Sequence, residues 1–243
     1  MKHAPETKEI LIVQNISREG SGLLGEIIAE TGIRSKVIDL SLGERLPPAE
    51  GFAAVVVLGG PDSANDKSAK MLNELDFIRE ILSSDIPYLG ICLGLQTLVK
   101  AAGGEVVKSP AKEIGFRDAS GHLFRISLTK DGRKDPLFKG IDDFFNVFHL
   151  HGETVVLTKK MKLMATGNPC LNQIIKIGSS AYGIQCHFEL TSAMLERWIN
   201  EDPDLKLADR NELQNDFQAM SEQYLQTGNI LFRNFLGICG FCI

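Results

Sequence analysis

A chain of 243 residues, 44% hydrophobic and 23% charged, carries enough apolar surface for one large core but is short for two full domains, so a single domain over 1–243 is expected, with a core at about 9–200 and an extension over 201–243. The net charge of -5 supplies no broad basic field, which argues against a nucleic-acid partner. Residues 1–9 are polar and the longest apolar run, 52–58, is far too short to span a bilayer; a soluble, cytoplasmic protein with no membrane partner and five reduced cysteines is expected.

Residues 9–14 (EILIVQ), 52–58 (FAAVVVL) and 88–91 (YLGI) are short apolar runs rich in β-branched residues, the pattern of strands buried on both faces of a parallel sheet. Helical stretches lie between them at 23–31 and 69–82; in the second, Leu72, Leu75, Ile78, Arg79 and Leu82 mark one mostly apolar face. Strand and helix thus alternate, which implies a doubly wound α/β fold with ligands at the carboxyl ends of the strands. From 124 to 185 the pattern changes to short strands at 144–148, 154–157 and 181–185, expected to complete the sheet with antiparallel pieces. Beyond 202 the chain turns helical, with Leu213, Phe217, Met220 and Tyr224 on the face expected to dock on the sheet.

The most informative segment is 87–96 (PYLGICLGLQ), where a buried strand runs straight into a helix beginning near Leu93 and Cys92 sits at the joint. Such a tight turn presents a nucleophile, and Gly90 and Gly94 remove side chains where neighbouring backbone must approach closely. The helix N-terminus also places partial positive charge beside the attacking sulfur. A second segment, 183–189 (GIQCHFE), ends a strand in His-x-Glu. Residues two apart in extended chain face the same way, so His187 and Glu189 lie together while Phe188 points into the core. Nucleophilic catalysis needs this pairing of a base with a group that orients it. Acyl transfer also needs donors for the oxyanion, here the backbone N–H groups of Leu93 and of Gly60, whose loop (Leu58-Gly59-Gly60-Pro61) closes an apolar strand.

Together GICLGLQ, GIQCHFE, the LGGP loop and LHGE at 150–153 resemble the class I glutamine amidotransferases, the GMP synthetase type above all, over about residues 9–200. The resemblance implies a flavodoxin-like, mostly parallel sheet flanked by helices, with extra antiparallel strands and a C-terminal helical extension. It implies a γ-glutamyl thioester on Cys92, with His187 and Glu189 completing the triad and ammonia released from glutamine. Gln96 then contacts the substrate, Gly59 and Gly60 flank it, and Leu150, His151, Gly152 and Glu153 hold its amino-acid end. The family usually has Ser or Asn where Leu150 stands, so contacts there are expected from backbone alone; Cys186 replaces a commoner aromatic residue and is expected to pack.

GMP synthetase relatives pair this domain with an ATP-using synthetase. No G-x-x-x-x-G-K-[ST] loop occurs here, so a separate synthetase subunit takes the ammonia or the chain is a stand-alone hydrolase. Two alternatives keep the fold: hydrolysis of a γ-glutamyl peptide or conjugate, suggested by Leu150, and a catalytically silent regulatory subunit.

Three other signals are discounted. Gly20, Gly22 and Gly25 match G-x-G-x-x-G, with Asp39 at a suitable distance. Residues 15–19 nevertheless separate the first strand from Gly20, where a dinucleotide fold leads almost directly into the glycine, so a plain loop and no cofactor are expected. Cys239 and Cys242 have metal spacing but no second pair. For His149 and His151 the sequence places no third ligand, so no metal is expected there.

Overall fold

Period-two alternation sends the apolar side chains of the first strands to both faces of the central sheet, and this sets the layers of the molecule. The computed structural model describes residues 9–242; residues 1–8, most of the polar N-terminal segment considered above, and Ile243 lie outside them. The elements run β1 (Glu9–Gln14), α1 (Gly22–Glu30), β2 (Arg34–Asp39), β3 (Phe52–Val57), α2 (Ala69–Ser83), β4 (Tyr88–Ile91), α3 (Leu93–Ala101), β5 (Glu105–Gly115), β6 (Arg125–Leu128), β7 (Phe144–Asn146), β8 (His149–Val156), β9 (Met161–Thr166), β10 (Ile174–Ile177), β11 (Ala181–Ile184), α4 (Ser192–Glu201) and α5 (Arg210–Ile238).

The main sheet has the order β2-β1-β3-β4-β11-β10-β9-β6-β7. The pairs from β2 to β11 are all parallel, and those from β11 through β10, β9 and β6 to β7 are antiparallel. Ile10, Ile12, Ala54 and Val56 face a core shared with α1, α4 and α5. Leu11, Val13, Val55 and Val57 face a second core shared with α2 and α3. This is the doubly wound, mostly parallel arrangement expected, with its antiparallel flank. The β1-β3-β4 carboxyl ends and the residues after β11 lie side by side, so loops from distant parts of the sequence meet along one edge.

Several local expectations are corrected. β2 (RSKVID) carries no apolar run because it is an edge strand whose first four residues are exposed. Residues 154–157 do not join the main sheet: β8 begins earlier, at His149, and pairs with β5 in a separate two-stranded ribbon. Leu75 and Ile78 of the expected α2 face are buried, but Met71 and Ile81 complete the stripe in place of Leu72, which is 50% exposed. An apolar residue beside the true stripe shifted the reading by one position. Finally, β11 stops at Ile184, and His187 is held instead by an isolated antiparallel bridge to Phe148.

Helix α5 is the largest addition. Its buried face, including Phe217, Tyr224, Leu231 and Phe235, joins the same core as α1. Asp209 caps its start by accepting from the backbone N–H groups of Asn211 and Glu212.

Candidate active site

Cys92 occupies the N-cap of α3 with φ +52°, a left-handed conformation that side chains other than glycine rarely adopt. What holds it there is backbone. Its N–H donates to the Ile184 carbonyl at 2.7 Å, joining the end of β4 to the end of β11, and its carbonyl accepts from Leu95 and Gln96 in the first turn of α3. The glycines on either side permit the turn: a Cβ on Gly90 would be driven into the Gly94 carbonyl, and one on Gly94 into the Val57 carbonyl of β3. The Tyr88 hydroxyl donates to the Gly94 carbonyl at 2.8 Å from below. The elbow is therefore braced by strands on both sides.

His187 and Glu189 stand together as their spacing requires. Nδ1 of His187 lies 2.6 Å from Oε1 of Glu189, and both residues are buried. Because a carboxylate only accepts, Nδ1 carries the hydrogen, and Nε2 is left for the Cys92 sulfur. Burial opposes a charge on His187, but the Glu189 carboxylate, helped by the nearby Cys92 sulfur, outweighs it and holds the imidazole pKa well above its ordinary value, while Nε2 is buried without a hydrogen-bond partner. The position a Gly59 Cβ would take is 3.3 Å from Cε1 of His187 and 3.6 Å from Cβ of Cys92, so the glycine is what lets imidazole and thiol close on the loop. An aromatic contact steadies the ring: the Trp198 indole of α4 meets it edge-on at 5.1 Å between centroids.

A Cβ on Gly59 would also clash with Oε2 of Glu19, a residue that sequence reading left among the loop residues after β1. Burial, countered in part by the His187 and Arg18 charges, pushes its carboxyl up to about 7. Gln185 is the other residue missed. Its amide N–H donates toward the Cys92 sulfur at 3.7 Å and its carbonyl oxygen lies 3.4 Å from Nε2 of Gln96. The signal was present, since residue 185 lies two before His187 and shares its face. Nothing local marks Glu19, which the β1–α1 loop delivers from far away in sequence. Tyr224 of α5 was singled out only as a packing residue, yet its hydroxyl donates to the His187 carbonyl.

Cys92 opens on a pocket of about 350 Å³ whose wall includes Gly60, Gln96, Leu150, His151, Gly152 and Glu153. Gly59, Leu93, His187 and Glu189 stand behind that wall. The Leu93 N–H, at the first position of α3, has no intrahelical acceptor. Leu93 is also next to Gly60, whose Cβ would lie 3.3 Å from its side chain. Leu150 turns backbone to the site, with its carbonyl oxygen 3.7 Å from the Cys92 sulfur. Glu153 accepts from the Ser63 hydroxyl at 3.1 Å, and its carbonyl accepts from Gln96 at 3.3 Å. Arg18, Lys112, Asp62, Asp202 and Asp204 add charges of both signs at the rim. Such a pocket suits a small zwitterion, and a lining thiol backed by a buried imidazole–carboxylate pair suits attack on a carbonyl carbon.

The discounted motifs have structural explanations. Gly22, at φ +42°, packs against the Glu189 carbonyl and Met194, and the Leu23 N–H donates to that carbonyl at 2.9 Å, so the glycine-rich loop docks α1 onto the segment carrying the carboxylate. Cys239 is buried, which pushes its thiol up to about 12, whereas Cys242 is exposed. Cys186 packs in the core, and burial raises its thiol well above the ordinary value. His149 and His151 gain the third group that the sequence did not place, Glu113 of β5. No helix among the described residues is long and apolar enough to cross a membrane.

The family model described as Glutamine amidotransferase class-I matches residues 22–201. A glutamine amidotransferase-like protein of Salmonella typhimurium, YfeJ, is 34% identical over 163 residues, 65% of this chain and 65% of that protein. A glutamine-hydrolyzing GMP synthase of Borrelia garinii is 30% identical over 182 residues, covering 74% of this chain but 32% of the synthase, so the match spans only about a third of that relative. A crystal structure of a glutamine amidotransferase from Thermotoga maritima superposes with a TM-score of 0.83 at 27% identity, covering 94% of this chain and 98% of that one. With a family model matched across most of the chain, from α1 to the end of α4, this protein belongs to the class I glutamine amidotransferases.

Proposed function

We propose that the chain hydrolyses the side-chain amide of glutamine through a γ-glutamyl thioester on Cys92. The observation that carries this reading is the strained Cys92 at the start of α3 beside a buried His187–Glu189 pair. In the reaction the Cys92 sulfur attacks the amide carbon while Nε2 of His187 takes the thiol proton. The negative oxygen that forms is met by the backbone N–H groups of Gly60 and Leu93. As the carbon–nitrogen bond breaks, His187 returns the proton to the departing ammonia, and Glu189 holds the ring in the tautomer this exchange needs. Water, activated by the same imidazole, then releases glutamate. Gln96, Gly59, Gly152 and Glu153 position the substrate, with the backbone of Leu150 and His151 forming part of the wall.

On this reading residues 9–242 act as a single amidotransferase domain, with α5 as an integral brace, and the ammonia passes to a separate synthetase subunit. Support for a synthetase partner comes from the name of the Borrelia relative, a GMP synthase two-thirds of which lies outside the match. Purified protein is expected to release ammonia from glutamine, and Cys92→Ala to lower kcat/KM by about 10³-fold or more. Equal rates for the two proteins would dispose of the proposal. The presence of Leu150 among the lining residues, where the family usually has Ser or Asn, favours one second reading, a γ-glutamyl conjugate as substrate. A panel of γ-glutamyl compounds in which glutamine has the highest kcat/KM would exclude it.

A further inference from the structure

The ribbon of β5 and β8 brings together three side chains to which the proposed glutamine chemistry gives no role. Its register sets Glu113 opposite His151 and Gly115 opposite His149. The two histidines, two residues apart on one strand, therefore share a face with the carboxylate. Ligand-capable atoms of Glu113, His149 and His151 all lie within 4.8 Å of one another, and all three residues are buried.

Proton placement makes the cluster unusual. Nδ1 of His151 lies 3.1 Å from the Glu153 carbonyl oxygen, which can only accept, so this nitrogen carries hydrogen. Nε2 then faces Oε2 of Glu113 at 2.8 Å, and without a second proton on the ring it presents a lone pair to that oxygen. Two electron-rich atoms at that separation need positive charge between them. A proton would serve that pair alone. Nδ1 of His149 would remain, a further buried nitrogen without a hydrogen-bond partner. Each buried polar atom left unpaired costs about 1–3 kcal/mol, and one cation placed among the three satisfies all of them.

We infer that Glu113, His149 and His151 form a buried binding site for one divalent metal ion of the zinc class, set in the wall of the active-site pocket. Two imidazoles and a carboxylate are the donor set that borderline cations such as Zn²⁺ select. Outer contacts are also in place: His151 is oriented by the Glu153 carbonyl, and the Cys170 N–H donates to Oε1 of Glu113 at 3.4 Å. Bonds of about 2.1 Å in a tetrahedron put ligand atoms roughly 3.4 Å apart, so the widest pair closes by a side-chain movement on binding. His151 also lines the pocket, which gives the ion a path inward. Leu150, between the two histidines, directs its carbonyl at the Cys92 sulfur, so the ion would pin the strand that forms this side of the site. Its role is structural, and the inference stands apart from the identity of the substrate.

The test is metal uptake by the intact chain after chelation and dialysis, titrated separately with Zn²⁺ and Co²⁺. One ion per chain is expected, with Co²⁺ giving visible d–d bands but no near-ultraviolet thiolate charge transfer. Cys92→Ser should bind as wild type does, whereas His149→Leu and Glu113→Gln should each weaken binding by about tenfold or more. Zn²⁺ should raise the Tm of wild type and not of those two variants. Should either variant fail to fold, the cobalt spectrum and stoichiometry of wild type still decide. Absence of saturable uptake would assign the cluster to a protonated His151–Glu113 pair and overturn the inference, as would a thiolate band or uptake undiminished in both variants.

Discussion

Cys92 is held at φ +52° by the hydrogen bonds of its neighbours, and a residue with a Cβ pays about 1–2 kcal/mol for that conformation. Replacing it with glycine should relieve the strain where alanine cannot. Urea unfolding is expected to find Cys92→Gly more stable than Cys92→Ala by about 1 kcal/mol, against the usual penalty for glycine. Equal or reversed stabilities would mean that the turn carries no strain. In the proposed mechanism Glu189 acts one step further from the sulfur. Glu189→Gln keeps an acceptor for Nδ1 but removes the charge that raises the His187 pKa. The variant should therefore lose about 10²- to 10⁴-fold in kcat with a smaller change in KM, read by steady-state ammonia release.

The strand-to-helix joint between β4 and α3 depends on glycines for reasons that involve other strands. A methyl group on Gly94 would meet the Val57 carbonyl oxygen of β3, and backbone cannot yield as a flexible side chain does. Gly94→Ala is expected to cost about 3 kcal/mol or more in chemical denaturation, above the range of ordinary overpacking, and to displace the thiol so that activity falls with stability. A stable, active variant would show that β3 and α3 separate easily. The β5–β8 ribbon and α5 support the opposite side. One supplies Leu150 and the histidine pair; the other reaches the His187 carbonyl through Tyr224. The helix period of α5 was legible in Leu213, Phe217, Met220 and Tyr224, but its contact with the segment carrying His187 was not, because periodicity identifies a buried face without naming what covers it.

Across the molecule, stability should depend on pH through carboxyls that the fold buries. Glu74 on α2 is fully buried and its carboxyl is pushed up from 4.5 to about 7 by desolvation, offset in part by the Asn15 hydrogen bond. A raised carboxyl pKa means that the folded state binds the proton more tightly than the unfolded one. Its contribution is therefore fully present below about 4.5 and lost as pH rises through about 7. Glu74→Gln mimics the protonated form. The difference in unfolding free energy between variant and wild type should grow by about 3 kcal/mol in the variant's favour from pH 4.5 to pH 8. A pH-independent difference would show that Glu74 titrates in the folded protein as it does in the unfolded chain.

Local chemistry was readable in one dimension: the apolar runs of β1, β3 and β4, the glycines around Cys92 and the two-residue spacing of His187 and Glu189 each depend on neighbours in the chain. The edge strand β2, the detached ribbon, and the delivery of Glu19 and Glu113 to their places depend on which segments pair across the sheet. Such pairings are decided by packing between residues far apart in sequence, where no local period records the partner. For the same reason, two histidines with no third ligand in the sequence acquired a buried carboxylate only when β5 came to lie beside β8.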